Sequence, residues 1–432
     1  MADHARSDDA AVQAQLDRFA QLSPGRDILG LERITTLLAR IGNPQDQLPP
    51  VFHVAGTNGK GSTCAFLRAA IEAAGLSAHV YTSPHLCRFN ERIRIAGRLI
   101  SDEALAPLLS EVLDAAGDIG PSFFEATTAA AFLAFARTPA DVAIIEVGLG
   151  GRLDATNIIS KPAVCGIAQL GIDHQSFLGD SAVGIAGEKA GIAKAGVPLV
   201  TMAYDKPRSA RVEAVAELAD APLFVKGDAW HAAPYRGKLH YRDMHGKLSL
   251  PLPTLPGDHQ AMNAALAIAM IRHQSAVEVP ESALKAAMGW AHWPARLQRL
   301  AVGPLNPQGK IIWLDGCHNE AAAQTIVDFF ERWLRGKRGL HLITGILANK
   351  DARGLLAHFE GIATHLTAVA VGGHDCHSPQ DLAAIGATYG LKSAVAKTVE
   401  AALSRIGTEP VLIIGSLYLA GEVLRANGQL PD

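Results

Sequence analysis

Apolar runs alternate with longer segments of helical periodicity along the first half of the chain. The predicted strands cover residues 51–56, 78–83, 142–148, 164–171 and 198–202, and the predicted helices cover residues 60–74, 102–116, 124–137 and 182–194. Such an alternation is typical of βαβ units and predicts a parallel sheet.

The pattern changes between residues 229 and 250. There AWHAAPYRGKLHYRDMHGKLSL shows short alternating runs separated by turn residues, which predicts a small antiparallel meander. Two helical segments follow, at residues 257–273 and 280–293.

The alternation restarts near residue 310 and predicts a second α/β domain. The stretch AVGPLNPQG, residues 301–309, is rich in proline and glycine and marks the boundary. We therefore predict one domain over residues 1–297 and a smaller one over residues 298–432. The second contains predicted strands at 310–316, 340–347, 365–373 and 410–417, and predicted helices near 319–335, 351–360, 378–388 and 397–406.

Composition restricts the class of protein. The 432 residues are 49% hydrophobic and 19% charged with a net charge of −3, which gives no bulk attraction to nucleic acid or to anionic lipid. The N-terminal segment is too polar for a signal peptide, and no apolar run approaches the roughly 20 residues of a membrane helix. The five cysteines are scattered and never form a CxxC pair, which indicates free thiols in the cytoplasm.

The stretch HVAGTNGKGSTCAF, residues 53–66, joins a predicted strand to a predicted helix through a glycine-rich turn. Backbone N–H groups at a helix N-terminus bind anions, Lys60 would meet phosphate oxygens, and the hydroxyl of Ser62 or Thr63 would reach a Mg²⁺ ion. The spacing departs from the usual G-x-x-x-x-G-K-[ST] pattern, because an extra glycine separates the lysine from the serine. Context favours a nucleotide-phosphate loop; the alternative is a turn without a ligand.

Polar residues follow three other predicted strands of the same sheet. Ser83 comes after one strand, Glu146 closes the next, and Asp173 and His174 follow a third. Each has an ordinary explanation as a strand cap, a loop hydrogen bond or a turn residue. In a parallel sheet, however, ligands bind beyond the carboxyl ends of the strands, so together these residues favour a metal–nucleotide site.

Two more polar clusters lie near the domain boundary. WPARLQ contains Arg296, and DGCHN contains Asp315 and His318. Both would face a cleft between the domains, where ligands commonly bind. Spacing alone favours a salt bridge and a helix cap from Asp315 or Asn319.

A family resemblance is carried by motifs that occur in order along nearly the whole chain. The chain closely resembles the folylpolyglutamate synthase/dihydrofolate synthase family of the Mur ligase superfamily. The motifs are HVAGTNGKGST, TSPHL with FNERIRI, FFEATTAAAF, EVGLGGRLDATN, GIDHQSFLG, AGEKAGI, HQAMNAALA, WPARLQ and DGCHN.

The resemblance implies an α/β fold in which a P-loop-containing parallel-sheet ATPase domain with a small antiparallel meander, the Mur ligase-type central domain, precedes a smaller Rossmann-like ligase domain. It also implies an ATP-dependent amide ligase. A carboxylate takes the γ-phosphoryl group of ATP, and the amine of L-glutamate attacks the acyl phosphate. The implied substrates are dihydropteroate, reduced folates, or both, and the implied cofactors are ATP and Mg²⁺, with two ions expected. We expect a cytoplasmic monomer that binds neither nucleic acid nor a membrane.

The resemblance also implies roles for particular residues. Lys189 resembles the lysine that the family carbamylates; otherwise it would be read as part of an ordinary surface pair with Glu188. Phe123 and Phe124 would pack on a pterin ring, although both also suit a hydrophobic core. The implied sets are Gly59, Lys60, Gly61, Ser62, Asn263, Arg296 and Asp315 for ATP; Ser83, Glu146, His174 and Lys189 for the metal; Ser122, Phe123, Phe124, Glu125, Leu153, Asp154 and Ala155 for the pterin substrate; and Lys60, Lys189 and His318 as catalytic or supporting residues.

Three positions depart from the family pattern beside these residues. Ala295 replaces the usual glycine of WPGRLQ, Cys317 replaces an alanine, and Glu320 replaces a common proline. Alanine resists a positive φ, so the geometry of this loop is in question. Two other functions stay open: a peptidoglycan-type amino acid ligase, against which GTNGKGS and DGCHN speak, and a nucleotide-driven switch protein.

Overall fold

The computed structural model describes residues 5–22, 29–335 and 339–432. It divides the chain into two compact units, Met1–Thr254 with His259–His292, and Leu255–Asp258 with Trp293–Asp432. The domain boundary after residue 297 stays a prediction.

The first unit contains the elements up to α10. Its strands are β1 (Val51–Ala55), β2 (Ala78–Tyr81), β3 (Ile93–Ile95), β4 (Arg98–Leu99), β5 (Val142–Glu146), β6 (Val164–Ile167), β7 (Leu199–Thr201), β8 (Leu223–Val225), β9 (Trp230–Tyr235), β10 (Lys238–Asp243) and β11 (Gly246–Pro251). Its helices are α1 (Ala10–Gln21), α2 (Glu32–Arg40), α3 (Lys60–Ala73), α4 (Asp102–Ala116), α5 (Phe123–Arg137), α6 (Gln175–Leu178), α7 (Ala182–Ala190), α8 (Lys206–Leu218), α9 (Asp258–Arg272) and α10 (Glu281–Trp290).

The main sheet has β1 near its centre. Over the described residues its strand order is β4-β3-β2-β5-β1-β6-β7-β8, and all pairs from β2 to β8 are parallel. Every residue of β1 and β5 is buried, as expected of strands covered on both faces. The carboxyl ends of β2, β5, β1 and β6 therefore meet at one edge of the sheet, which confirms the parallel sheet predicted from the alternating pattern.

The meander predicted at residues 229–250 is also confirmed. Strands β9, β10 and β11 form an antiparallel sheet with β10 in the middle. Residues alternate between the two faces, and the side chains turned inward are apolar: Trp230, Leu239, Tyr241, Leu248 and Leu250. The carboxylate of Asp243 joins this sheet to α9 through two hydrogen bonds of 2.7 Å from Arg272.

One predicted helix is shorter than its pattern suggested. Helix α7 ends at Ala190, whereas the sequence predicted it to continue to residue 194. Gly191 follows, and a Cβ atom there would collide with the side chain of Arg152. The loop containing Arg152 thus packs where the helix would have continued.

The second unit is a smaller α/β sheet. Within the described part of the chain, the strand order is β12-β13-β17-β14-β15-β16, parallel except for β12. Its elements are β12 (Gln298–Arg299), β13 (Ile312–Leu314), α11 (Glu320–Leu334), β14 (Leu340–Thr344), α12 (Ala352–Ala357), β15 (Ala363–Ala368), α13 (Pro379–Thr388), β16 (Lys392–Val395), α14 (Val399–Leu403), β17 (Val411–Ile414) and α15 (Leu417–Ala426).

None of the helices formed by the described residues has the length and apolar character needed to cross a membrane.

Candidate active site

The glycine-rich turn joins β1 to α3 in a left-handed conformation. Gly56 has φ of 146° and Gly59 has φ of 86°, and α3 begins at the next residue, Lys60. A Cβ atom at Gly59 would collide with the side-chain amide of Asn263. Only glycine fits here. The first amides of a helix have no partner within the helix and can bind an anion.

The hydroxyl groups after Lys60 are not equivalent. Thr63 donates from Oγ1 to the carbonyl oxygen of Gly59 at 2.9 Å, which fixes the turn. Ser62 precedes it in the first turn of the helix. Of the two hydroxyls that the sequence left open as metal contacts, Thr63 is thus already committed to the loop, and Ser62 is the better candidate.

Lys60 and the end of β5 meet at the edge of the sheet. The ammonium nitrogen of Lys60 lies 3.8 Å from Oε1 of Glu146, and the backbone N–H of Ser83 donates to Oε2 at 3.3 Å. Lys60 follows β1, Ser83 follows β2 and Glu146 ends β5. All three residues therefore lie at the carboxyl ends of parallel strands. The predicted phosphate lysine and two predicted metal ligands are therefore neighbours.

Lys189 is buried in α7 beside the same loop. Its ammonium nitrogen donates to the carbonyl oxygen of Gly56 at 3.1 Å. Burial and, to a smaller extent, the nearby charge of Lys60 lower the pKa of Lys189 to about 7, while Asp173 and Asp154 oppose the shift. An amine with this pKa is roughly half neutral at pH 7.

His174 lies at the start of α6, where its φ of 55° is left-handed. Its backbone N–H donates to Oδ1 of Asp173 at 2.8 Å. Across the described ranges, no group of three or more His, Cys, Asp and Glu side chains is arranged to hold a metal ion. Mg²⁺ commonly takes only one or two carboxylates and completes its shell with phosphates and water.

The predicted substrate stretch begins α5 with a reciprocal cap. Ser122 accepts from the N–H of Glu125 at 3.2 Å, and Oε2 of Glu125 accepts from the N–H of Ser122 at 2.6 Å. Arg33 of α2 also donates to Oε2, at 3.0 Å. The other carboxylate oxygen, Oε1, is buried and has no hydrogen-bond partner among the described residues. A buried acceptor of this kind is costly unless something binds it.

The two phenylalanines of this stretch have different surroundings. Phe123 is buried among aromatic rings, with centroids 5.9 Å from Phe19 and 6.1 Å from Phe89. Phe124 is only partly buried and lies against Gly148, where a side chain would collide with its ring. The burial of Phe123 is therefore explained by its packing in the hydrophobic core, and Phe124 is the ring available to a planar ligand.

The second predicted substrate segment is held by its own aspartate. Asp154 caps the short 3-10 helix Ala155–Ile158 through the N–H of Thr156 at 3.0 Å, and its other oxygen accepts from the N–H of Leu149 at 2.8 Å. Burial raises the pKa of Asp154, and these hydrogen bonds oppose the shift. Leu153 is half-buried and Ala155 is buried. The side chain of Asp154 is thus turned into the loop rather than toward a ligand.

Asn263 lies against the phosphate loop and is held by a second amide. Its Nδ2 donates to Oε1 of Gln260 at 3.1 Å, one turn earlier on the same face of α9. Both side chains are buried, and Gln260 has no exposed surface. The predicted ATP contact thus has a fixed side-chain orientation.

In the second unit, Asp315 joins two loops. Its carboxylate accepts from the N–H of Leu297 at 2.7 Å and from the N–H of Cys317 at 2.8 Å. Burial raises the pKa of Asp315, and the charge of Arg296 opposes this. The Nη1 of Arg296 donates to the carbonyl oxygen of Ala295 at 2.8 Å.

The helix cap that the sequence left open belongs to Asn319. Its side chain accepts from the N–H of Ala322 at 3.0 Å, while Asp315 bonds elsewhere. His318 is half-buried, and its Nδ1 lies 2.8 Å from the carbonyl oxygen of Gly316. The predicted role of His318 between the domains stays a prediction.

The sequence did not single out four residues that support the site. Arg33 and Gln260 each hold a predicted ligand residue, and His53 and Thr156 bond the second substrate segment. Of these four, only Gln260 could have been inferred from the sequence, because a glutamine three residues before Asn263 puts two amides on one face of an otherwise apolar helix.

The fold and the phosphate loop define an α/β nucleotide-binding enzyme. The family described as "Dihydrofolate synthetase, C-terminal domain" matches residues 298–426. The dihydrofolate synthase/folylpolyglutamate synthase of Escherichia coli (strain K12) is 35% identical over 92% of this chain and 90% of its own. The folylpolyglutamate synthase of Lacticaseibacillus casei is 34% identical over 90% of this chain and 92% of its own. The chain belongs to the dihydrofolate synthase/folylpolyglutamate synthase family.

Solved structures of relatives have the same fold. E. coli FolC in complex with DHPP and ADP superposes with a TM-score of 0.87 at 31% identity, covering 96% of this chain and 97% of that one. The bifunctional enzyme of Yersinia pestis, complexed with AMPPNP and Mn ion, gives a TM-score of 0.84 at 31% identity over 96% and 97% of the two chains.

Proposed function

We propose that this chain is an ATP-dependent ligase that joins L-glutamate to 7,8-dihydropteroate and to reduced folates, releasing ADP and phosphate. The observation that carries the proposal is the meeting of Lys60, Glu146 and the glycine-rich turn at one edge of the parallel sheet. Membership of the family supports the substrate class.

The residues at this edge fit a nucleotide and a divalent metal. The left-handed turn at Gly59 has no room for a side chain, and the amides that follow it suit a phosphate. Glu146 and Ser83 offer the oxygen ligands that Mg²⁺ prefers, and His174 offers a nitrogen. Bound there, the metal would neutralise charge on the transferred phosphoryl group. Asn263, Arg296 and Asp315 are the further proposed contacts of ATP.

Lys60 assists the first step by neutralising phosphate. A carboxylate oxygen of the substrate attacks the γ-phosphorus, ADP leaves, and an acyl phosphate forms. The neutral amine of L-glutamate then attacks the acyl carbon and loses a proton, the C–O bond to phosphate breaks, and an amide results. Phosphate thus carries away one oxygen of the original carboxylate. Lys60 acts through charge, because both reactants are anions that repel each other until a cation lies between them.

The pterin substrate would meet α5 and the segment Leu153–Ala155. Phe124 offers its ring face for stacking, and Oε1 of Glu125 is a buried acceptor suited to a ring N–H. Ser122 caps this end of α5, and Phe123 packs it against the hydrophobic core.

Carbamylation of Lys189 is part of the proposal. The neutral amine would attack the carbon of CO₂ and lose a proton, so that a cation becomes a carboxylate-like oxygen ligand near Lys60 and the metal ligands. Its pKa of about 7 supplies the neutral amine. ¹³C NMR with ¹³C-bicarbonate should reveal a carbamate carbon that is missing from Lys189→Ala, and a short carboxylic acid should partly restore that variant's activity. A Lys189→Ala enzyme with unchanged rate would remove the carbamate from the proposal.

A second candidate is folylpolyglutamate synthase activity alone. The Lacticaseibacillus casei relative has that name and is nearly as similar to this chain as the bifunctional E. coli relative. Identity therefore does not separate the two. The cytoplasmic location and the monomeric state also stay predictions.

Release of ADP tests the proposal. The purified protein is given ATP, Mg²⁺ and L-glutamate with either dihydropteroate or tetrahydrofolate. Turnover with both substrates is expected, and turnover with tetrahydrofolate alone would favour the second candidate. A UDP-muramyl substrate serves as the control for a peptidoglycan-type ligase. ADP release that does not depend on L-glutamate would contradict ligation and indicate a nucleotide-driven switch.

A further inference from the structure

A chain of buried hydrogen bonds links β1 to the segment that holds Asp154. Nε2 of His53, in the middle of β1, lies 2.8 Å from Oγ1 of Thr156. The same hydroxyl donates to Oδ1 of Asp154 at 2.5 Å. His53 and Thr156 have no exposed surface, and Asp154 is 2% exposed.

The directions of these hydrogen bonds follow from the groups. The hydroxyl of Thr156 has one proton, which it gives to the carboxylate of Asp154, so it must accept from His53. Nε2 of His53 therefore carries a proton. Burial lowers the pKa of His53 to about 3, with a smaller contribution from Lys194, so the ring is neutral and its other nitrogen is unprotonated.

These linked hydrogen bonds connect three segments of the proposed site. β1 leads into the phosphate loop three residues after His53. Asp154 accepts from the N–H of Leu149, in the turn that follows Glu146, and from the N–H of Thr156 in the short helix of the second substrate segment. Because both oxygens of Asp154 are used within the loop, this segment would present its backbone and Leu153 to a ligand.

We propose that Thr156 and His53 are positioning residues, which fix the segment Leu153–Ala155 for the pterin substrate by holding the carboxylate of Asp154. The inference rests on the proposed function, since that segment is the proposed substrate contact. The hydroxyl of Thr156 is central, because it bonds both Asp154 and His53. The phosphate loop does not depend on it, since its own conformation is fixed by Gly59 and Thr63.

Two substitutions at position 156 separate the hydroxyl from the shape of the side chain. Thr156→Ser keeps the hydroxyl and removes a methyl group, whereas Thr156→Val keeps the shape and removes the hydroxyl. His53→Leu removes the donor but leaves the bond between Thr156 and Asp154. KM is measured for dihydropteroate and for ATP in each variant, together with kcat and the thermal midpoint.

Thr156→Val should raise KM for dihydropteroate about tenfold or more, because a hydrogen bond to a carboxylate is lost, while KM for ATP stays within about twofold. Thr156→Ser should stay close to the parent enzyme, and His53→Leu should fall between the two. Equal KM values for dihydropteroate in the Val and Ser variants would overturn the proposal. So would a Val variant that loses affinity for ATP and dihydropteroate alike in step with its thermal midpoint, since that is loss of folding.

Hydrogen exchange gives a readout that does not need activity. The amide of Leu149 should exchange faster in Thr156→Val than in Thr156→Ser, because the carboxylate that accepts from it is no longer fixed. Unchanged exchange in both variants would overturn the positioning role. If the parent enzyme turns over neither dihydropteroate nor tetrahydrofolate, the proposed function fails, and the exchange comparison still decides whether Thr156 holds this segment.

Discussion

Ala295 has a backbone conformation that glycine would adopt more easily. Its φ is 54°, and Leu297 nearby has φ of 45°. The backbone of Ala295 is held on both sides, because its N–H donates to Gln298 at 2.9 Å and its carbonyl oxygen accepts from Gly316 at 2.9 Å. Alanine at this position is therefore held in a strained backbone conformation.

Replacing this alanine should stabilise the second unit. Ala295→Gly should raise the free energy of unfolding by about 1 kcal/mol. A left-handed non-glycine residue costs roughly 1–2 kcal/mol, and the greater flexibility of glycine in the unfolded chain offsets part of the gain from removing that strain. Thermal denaturation measures the change. The control is Ala214→Gly on the exposed face of α8, which should destabilise by about 1 kcal/mol. Destabilisation by both substitutions would contradict the strain at Ala295.

The sequence motifs identified Lys60, Glu146 and Lys189 and their order along the chain. In the structure, Lys60 lies beside Glu146, and Lys189 bonds the loop that precedes Lys60. The sequence could not tell that Thr63 bonds Gly59, or that Asp154 turns inward. Those outcomes depend on distances between atoms, which residue type and spacing do not determine.

The two ends of α3 offer a matched test of the phosphate loop. Gly59 before the helix and Gly75 after it have nearly the same φ, 86° and 81°. A Cβ atom would collide with Asn263 at the first position, and at the second it would meet nothing within 4 Å. The two positions thus share backbone strain but differ in surroundings.

Alanine at the two ends should therefore have similar effects on stability but different effects on ADP binding. Gly59→Ala and Gly75→Ala should each lower stability by about 1–2 kcal/mol, but only Gly59→Ala should weaken ADP binding, by about tenfold or more, because it displaces Asn263 and the loop. Calorimetric titration with ADP and Mg²⁺ measures the difference. Equal ADP affinity in the two variants would argue against a nucleotide at this loop.

The meander depends on a buried ion pair with α9. Burial alone would raise the pKa of Asp243, but the hydrogen bonds and the charge of Arg272, together with hydrogen bonds from His245 and Tyr241, lower it. A lowered pKa means that the carboxylate contributes its full stability above the ordinary value of about 4 and loses it as the pH falls through the lowered value. The pair should hence matter at neutral pH and matter little in strong acid.

Removing one charge tests this element. Asp243→Asn should lower the free energy of unfolding by about 3 kcal/mol at pH 7, because Arg272 is left without its partner. The loss should shrink as the pH is lowered toward 2, because Asp243 takes up a proton as the pH falls through its lowered pKa. Asp205→Asn, which alters an exposed pair with Arg208, should cost less than about 1 kcal/mol. A loss at Asp243 that is the same at both pH values would refute the ion-pair explanation.

Most elements predicted from apolar periodicity are present, but helices α1, α2 and α15 were not predicted, although each buries apolar residues at helical spacing. The buried strands of both sheets and helices α3, α4 and α5 lie within a residue or two of the predicted ranges or inside them. Helix α8 was not predicted, because only Val212 and Ala216 are buried along its 13 residues. Strand β16 was not predicted either, since its four residues alternate between exposed and half-buried.

At the scale of the whole chain, parallel topology explains why distant motifs act together. The segments that follow β1, β2, β5 and β6 are separated by up to 100 residues or more of sequence, yet they share one edge of one sheet. That much could be predicted, because every strand of a parallel sheet ends on the same side. The order of the strands could not, since periodicity gives the ends of a strand but not its neighbours.

Ligation through an acyl phosphate requires that one oxygen of the substrate carboxylate leave with the phosphate. Dihydropteroate labelled with ¹⁸O in its carboxylate, ATP, Mg²⁺ and L-glutamate are incubated with the enzyme, and the released phosphate is analysed by mass spectrometry. Ligation through an acyl phosphate predicts one ¹⁸O atom in each phosphate released and the other in the amide product. Unlabelled phosphate, formed at the same rate as ADP, would mean that water and not the carboxylate takes the phosphoryl group, and it would exclude an acyl phosphate.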